Sequence, residues 1–186
     1  KSDAGLNTLE KVGYASIIGP AAYQAGIAAF NNNAGATPTG VAAQSQTGQT
    51  AFAQGYADAQ ASFNQGTADG STAVKSNSTT STNPGVVPAG VVSKDAYSKG
   101  YADSVNAYAH GASSFSPTNQ QTATPTGNDA VNDNVKSAYT KGYSDAQASF
   151  TSGTASGAND VKNNPSVSSS NATVPTNIQS DAANQN

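Results

Sequence analysis

The chain of 186 residues contains no Cys, no Met, no Trp and no Arg, and it has a single His and a single Glu. Without cysteine, the chain forms neither disulfides nor thiolate metal sites. Its positive charge comes from eight Lys, which do not cluster. Nucleic-acid binding needs clustered basic residues that displace counterions from phosphates. We therefore expect no nucleic-acid partner.

Large aliphatic side chains are also scarce. Leu, Ile, Val and Phe together number 24, whereas Ala alone numbers 34, and Ser, Thr, Asn and Gln together make up 74 of the 186 residues. Alanine buries little apolar surface, and ordering the backbone costs about 1–2 kcal/mol per residue. We therefore predict small ordered elements, not one compact globule, with further order supplied by assembly. The longest apolar patch, residues 15–23, is shorter than the roughly 20 residues of a membrane span, so we expect none.

Against this background, one pattern recurs three times. The segments are AFAQGYADAQASFNQG (residues 51–66), AYSKGYADSVNAYAHG (96–111) and AYTKGYSDAQASFTSG (138–153). They share an aromatic residue, a Gly-Tyr pair, an Asp, a second aromatic residue and a closing Gly. A decayed fourth copy, AYQAGIAAFNNN, matches if Tyr23 is aligned with Tyr56 and Phe30 with Phe63. In that alignment, the copy lacks the Gly and the Asp.

The spacing of the repeated residues predicts helices. Phe52, Tyr56, Ala59 and Phe63 are separated by four, three and four residues, which places them on one stripe of a helix. A strand would point Tyr56 and Phe63 to opposite faces, because they are seven residues apart. We predict that Gly66 and the equivalent glycines 111 and 153 cap the helix ends. The expected fold class is all-α, with short to medium repeat helices.

Long polar linkers rich in Ser, Thr, Asn and Pro are expected between the helices. Within one of them, residues 85–92 (GVVPAGVV) alternatively form a short edge strand. Ser93 is the expected N-cap of the second repeat helix, Asn128 or Asp129 that of the third, and Pro20 the first residue of an N-terminal helix. The predicted organisation is an N-terminal helical segment with the decayed repeat (3–33), repeat helices (40–66, 93–112 and 128–153), linkers (67–92 and 113–127) and a polar tail (154–186).

A glycine recurs in the middle of each predicted helix, where it costs about 1 kcal/mol relative to alanine. The residue four positions later is small each time, which makes a ridge along which two helices can approach closely. We favour a helix–helix interface, within or between chains, over chance retention of glycine after duplication. The residues predicted for packing or self-association are Phe52, Gly55, Tyr56, Ala59, Phe63, Tyr97, Gly100, Tyr101, Ser104, Tyr108, Tyr139, Gly142, Tyr143, Ala146 and Phe150.

The polar residues of the repeat indicate neither catalysis nor metal binding. Asp58, Asp103 and Asp145 are expected to face water, the last two in pairs with a Lys four residues earlier. No second carboxylate or oxygen ligand accompanies them in the repeat. His110 is expected at the surface, without the base and nucleophile of a catalytic triad. We predict no catalytic residue, no cofactor and no metal site, and therefore no enzyme.

The repeats resemble the Ala-Tyr-x-x-Gly-Tyr-x-Asp-Ala-type repeats of secreted and cell-surface proteins of lactobacilli and related lactic acid bacteria. The resemblance covers the three repeat segments. It implies an extracellular or cell-surface location and a role in surface structure, aggregation or adhesion, with no catalytic residues to transfer. The chain lacks the LPxTG-like signal of wall-anchored proteins.

Three functions follow as hypotheses. The first is a non-enzymatic extracellular structural protein whose copies bind one another as an oligomer or filament. The second is an adhesin module that binds cell-wall or host glycans, or a matrix protein, through exposed tyrosines such as Tyr56, Tyr101 and Tyr143. The third and weakest is an accessory region of a cell-wall hydrolase.

Overall fold

The computed structural model describes residues 8–76, 81–118 and 124–164. In these ranges the chain forms four α-helices: α1 (Thr8–Asn31), α2 (Gln46–Lys75), α3 (Lys94–Ser114) and α4 (Asp133–Asn163). Short 3-10 turns at Gly40–Gln44 and Gly127–Ala130 precede α2 and α4. No strand occurs in the described ranges, and residues 85–92 are irregular. The prediction of an all-α fold is therefore confirmed.

Side-chain caps fix where three of the helices begin. Ser45 Oγ accepts a hydrogen bond from the Gly48 N–H (3.0 Å), and Ser93 Oγ accepts one from the Ala96 N–H (3.2 Å). Asn132 Oδ1 accepts one from the Val135 N–H (3.1 Å) and begins α4. Such caps satisfy N–H groups that have no partner within the helix. Ser93 is the cap that the sequence predicts, whereas residues 128 and 129 lie in the preceding 3-10 turn.

Several predicted helix ends are wrong. Gly66, Gly111 and Gly153 lie inside helices that continue to Lys75, Ser114 and Asn163. The segment 67–75, predicted as linker, is the last part of α2, and 154–163, predicted as tail, is the last part of α4. Pro20 does not begin a new helix but lies within α1. Proline removes one helical hydrogen bond, yet α1 continues because its later turns pack on α2.

The chain divides into two compact units, Lys1–Asp69 with Asn83–Ala102 and Gly70–Thr82 with Asp103–Asn186. In the first unit, α1 and the beginning of α3 pack on α2. In the second, the later part of α3 packs on α4. The prediction of small ordered elements without compact packing in one chain was wrong, because glycines let the backbones of neighbouring helices approach closely with few large side chains.

Helices that pack on one another run in the same direction. Phe30, near the end of α1, packs its ring on Tyr56 and on Phe63, with centroids 5.3 and 5.8 Å apart. Ala22 and Phe52, earlier in the two helices, share a buried cluster. Antiparallel helices would separate Phe30 and Phe63 widely. The second unit repeats this geometry, because Phe115 packs on Tyr143 and Phe150.

The parallel course explains the long connection between α1 and α2. The chain must return from the end of one helix to the start of the next. For α1 and α2 this return spans roughly 21 Å along the helix axis, at a rise of 1.5 Å per helical residue. Residues 32–45 make this return between α1 and α2, so they form a crossover segment of the first unit. In the described part of the chain, no helix is both long and apolar enough to cross a membrane.

Candidate interaction site: the glycine crossings

Two glycines bring α1 and α2 into direct backbone contact. A Cβ atom added to Gly26 would overlap the carbonyl oxygen of Phe52, and one added to Gly55 would overlap the carbonyl oxygen of Tyr23. The contact is reciprocal, so each helix supplies one glycine and one carbonyl. Neither glycine position tolerates a side chain without moving the neighbouring backbone.

The same contact occurs twice more, and we call each of the three a glycine crossing. Gly66 of α2 meets the carbonyl of Tyr97, and Gly100 of α3 meets that of Phe63. Between α3 and α4, Gly111 meets Tyr139 and Gly142 meets Tyr108. In every case the carbonyl belongs to an aromatic residue three positions before the partner glycine. The unit of recognition is therefore an aromatic-x-x-Gly motif that pairs with another copy of itself.

The mid-helix glycines thus have a positional reason. The sequence predicted an interface for Gly55, Gly100 and Gly142, and the structure places all three at glycine crossings within the chain. The small residues four positions later, Ala59, Ser104 and Ala146, are fully or almost fully buried. Whether copies of the chain also bind one another through such contacts stays a prediction.

Hydrogen bonds from tyrosine to aspartate connect the helices beside each crossing. The hydroxyl of Tyr23 donates to Asp58 (2.7 Å), that of Tyr97 to Asp69 (2.8 Å) and that of Tyr108 to Asp145 (2.9 Å). Each acceptor lies three residues after a crossing glycine, on the helix opposite the tyrosine. The expectation that Asp58 and Asp145 face water was wrong, because a tyrosine of the neighbouring helix reaches them.

Residues on the same helix hold two of these carboxylates in place. Lys141 contacts Asp145 at 2.6 Å, which confirms the predicted pair four residues apart. Gln54 donates to the other carboxylate oxygen of Asp58 at 2.8 Å. Because each carboxylate is oriented from its own helix, it meets the tyrosine hydroxyl without first being reordered.

The aromatic residue at a crossing matches the residue opposite it. Tyr139 donates its hydroxyl to Ser114 Oγ (3.0 Å). The equivalent residue in the first unit is Phe52, which packs against Ala29, a residue without an acceptor. In this pair of equivalent positions, the hydroxyl is present where a side-chain acceptor faces it and absent where alanine does.

The predicted aromatic stripe lies mostly inside the protein. Phe52, Phe63, Tyr97 and Tyr139 are buried, as are Tyr101 and Tyr143, which are 8% and 3% exposed. Tyr56, Tyr108 and Phe150 are half-buried. Lys99 lies over the ring of Phe63, 5.3 Å from its centroid. The stripe is therefore packing material and leaves little aromatic surface for a ligand.

Sequence reasoning missed part of this site. It took Gly66 and Gly111 for helix caps, and it did not use Gly26 or Phe115. The signal was the aromatic-x-x-Gly motif, which occurs eleven residues apart in each of α2, α3 and α4. Eleven residues make slightly more than three turns, so both motifs of a helix lie on nearly the same face. In α1, Tyr23 and Gly26 form the motif that the alignment with Tyr56 had obscured.

Three tyrosines at the crossings have a raised pKa and therefore resist ionisation. Burial, followed by the hydrogen bond to Asp69, raises the pKa of Tyr97 to about 12. Burial and the bond to Asp145 also raise the pKa of Tyr108, and for Tyr23 the bond to Asp58 is the main cause of a raised pKa. An ionised phenol could not donate to a carboxylate and would repel it. These hydrogen bonds therefore hold only while the tyrosines are protonated.

No group of three or more His, Cys, Asp or Glu side chains in the described ranges is placed to hold a metal ion. His110 is mostly exposed and lies 3.0 Å from Asp129, which follows α3 in the second unit. In the first unit, an open groove between α1 and the start of α2 is lined by Pro20, Tyr23, Thr50 and Gln54. Neither place assembles a nucleophile with a base.

Comparison with known proteins adds no relative. A scan of protein-family models, a search of curated proteins and a search of solved structures each found no match to this chain. What can be inferred about its function therefore comes from the glycine crossings and from the sequence.

Proposed function

We propose that this chain is a non-enzymatic structural protein of a bacterial cell surface or extracellular matrix, whose copies bind one another through the repeat helices. The observation that carries the proposal is the use of the repeated residues. Six aromatic-x-x-Gly motifs form three helix–helix contacts, and the repeated tyrosines and aspartates join the same contacts. The repeated residues serve attachment between helices, which is the property that a self-assembling protein needs.

The extracellular part of this proposal rests on the resemblance of the repeats to those of secreted proteins of lactic acid bacteria. The polar, cysteine-free composition agrees with it, since hydroxyl and amide side chains keep the surface hydrated without strong charge.

The adhesin alternative rested on exposed tyrosines. Tyr101 and Tyr143 are buried, so replacing them would damage the fold before it changed binding to a glycan. This alternative remains testable at the groove beside Tyr23, where Gln54 is exposed. The test is to compare the glycan binding of a Gln54→Ala variant with that of the unmodified chain. We place self-association first because the paired motifs carry it directly.

Static light scattering over a range of concentrations tests the proposal, with electron microscopy of the same samples. We expect the average mass to exceed that of one chain and to rise with concentration. Circular dichroism on the same samples should show high helicity at every concentration. A helical chain that stays monomeric at the highest attainable concentration would contradict self-association.

A further inference from the structure

The aromatic-x-x-Gly motif occurs seven times in the sequence. Six copies pair within the chain to form the three glycine crossings. The seventh, Phe150-x-x-Gly153 on α4, belongs to none of these three crossings. It corresponds to Phe63-x-x-Gly66 on α2, which forms the crossing with α3.

α2 and α4 carry the same sequence through this region. Residues 55–75 and 142–162 are identical at fourteen of 21 positions, and the last nine read TADGSTAVK in α2 and TASGANDVK in α4. Phe150 packs on Phe115 as Phe63 packs on Phe30, with centroids 5.8 Å apart in both pairs. The two motifs thus have the same helical register, and each packs on an equivalent phenylalanine of the preceding segment.

Beyond the motif, equivalent positions of the two helices differ in burial. Thr67, Ser71 and Val74 of α2 are buried, and Val74 is 1% exposed. Their counterparts on α4, Thr154, Ala158 and Val161, are exposed, and Val161 is 55% exposed. This face of α4 is therefore exposed where its duplicate on α2 is covered, so it offers a surface on which another helix can dock.

A second copy of the same motif fits this face. Each glycine crossing is reciprocal, so its two helices are related by a local two-fold axis, and two identical motifs can form it. The residues of α4 suit such pairing. Phe150 would face Ser156 of the other copy, at the position where α2 has Asp69. A phenylalanine has no hydroxyl to donate to a carboxylate. The serine in place of the aspartate therefore avoids a carboxylate that lacks a donor.

We propose that two copies of this chain pair through α4, with Phe150, Gly153 and Val161 of each copy against the same residues of the other. The partner is thus a second copy of the chain, and the contact is a fourth glycine crossing formed between molecules. This inference rests on the proposed self-association and specifies the surface that performs it.

The competing geometry is a head-to-tail contact of α4 with the beginning of α1, which aligns with the part of α3 that docks on α2. In that alignment Ala15 takes the place of Gly100 and Val12 that of Tyr97. At the observed crossing, a Cβ in place of the Gly100 hydrogen would overlap the carbonyl of Phe63. Glycine opposite glycine therefore fits more closely than alanine opposite glycine.

The test uses the full chain and sedimentation equilibrium. We expect the unmodified protein to form dimers, and we expect Gly153→Leu and Val161→Asp each to weaken dimerisation at least tenfold while helicity is retained. Val131→Asp is the matched control, because Val131 is 52% exposed and lies outside α4. It should dimerise like the unmodified chain.

Cross-linking identifies the contact, since the natural chain has no cysteine. A Thr154→Cys variant treated with a short bis-maleimide should give covalent dimers on its own. Cross-links only in a mixture with a Val12→Cys variant would show the head-to-tail contact and overturn the proposal. Association that persists in both Gly153→Leu and Val161→Asp would overturn the α4 contact alone, whereas a monomeric unmodified chain would also overturn the proposed self-association.

Discussion

α2 and α4 are near copies that meet the rest of the protein differently. At the glycines of their first aromatic-x-x-Gly motifs, Gly55 and Gly142, both helices are crossed by a preceding helix and hold the same kind of Tyr–Asp hydrogen bond. Beyond the glycines of their second motifs, Gly66 and Gly153, one segment is buried and the other exposed. Because the two segments have nearly the same residues, their difference in burial shows that the motif makes a helix able to dock. Whether the helix is buried depends on whether a partner helix is present.

The largest expected effect tests what the two helices share. Gly55→Ala and Gly142→Ala should each destabilise the fold by about 3 kcal/mol, because the added methyl group overlaps a carbonyl oxygen and forces the helices apart. Gly157→Ala is the matched control, since no atom lies within 4 Å of the Cβ it would add. There, the better helix propensity of alanine should stabilise by up to about 1 kcal/mol.

Urea denaturation followed by circular dichroism, at a concentration where the chain is monomeric, measures these effects. Similar losses at residues 55 and 142 would support the equivalence of the two crossings. If either variant is as stable as Gly157→Ala, close backbone contact is not what the glycine provides at that position.

The sequence could predict the helices but not their partners. The four-three-four spacing of Phe52, Tyr56, Ala59 and Phe63 depends only on the geometry of one helix, and it correctly indicated an α-helix. The same spacing cannot say which glycine ends a helix and which allows a second helix to approach. Glycine is the residue type typical of a helix C-cap, yet Gly66 lies inside α2 with the carbonyl of Tyr97 against it.

Asp58 illustrates the same limit. On an isolated helix, its best partner is Gln54 or water, and the sequence pattern indicated a surface residue. The hydroxyl that binds it comes from Tyr23, 35 positions earlier, and only the packing of α1 on α2 brings it close. The reason for a long connection between α1 and α2 was out of reach for a related reason, because the parallel course that requires it is a property of the helix pair.

An intermediate effect tests what separates α2 from α4. Val74→Ala should destabilise the monomer by about 1–2 kcal/mol, since it removes buried methyl groups. Val161→Ala, the same change at the equivalent residue, should cost less than about 0.5 kcal/mol because the side chain is exposed. Thermal unfolding of the two variants side by side measures the difference, and equal losses would mean that the exposed valine of α4 is buried in the folded monomer.

The smallest effect concerns the hydrogen bond that α2 has and α4 lacks. Tyr97 donates to Asp69, whose counterpart on α4 is Ser156. Removing the hydroxyl in Tyr97→Phe should destabilise by about 1 kcal/mol at neutral pH, the usual net value of such a bond. Unfolding in urea at pH 7 gives this value, and Phe52→Tyr, which adds a hydroxyl opposite Ala29, should not stabilise.

The pH dependence gives the same bond a second signature. The pKa of Tyr97 is raised from 10.0 to about 12 in the folded chain, so above pH 10 the unfolded chain loses this proton while the folded chain keeps it. Stability is then lost as pH rises from about 10 to 12, because the unfolded state binds fewer protons. Tyr97→Phe lacks this group, so its stability should fall less steeply than that of the unmodified chain over the same range. Equal slopes in urea titrations between pH 9 and 12 would show that Tyr97 ionises as readily in the folded chain as in the unfolded one, and that its bond to Asp69 contributes nothing to alkaline stability.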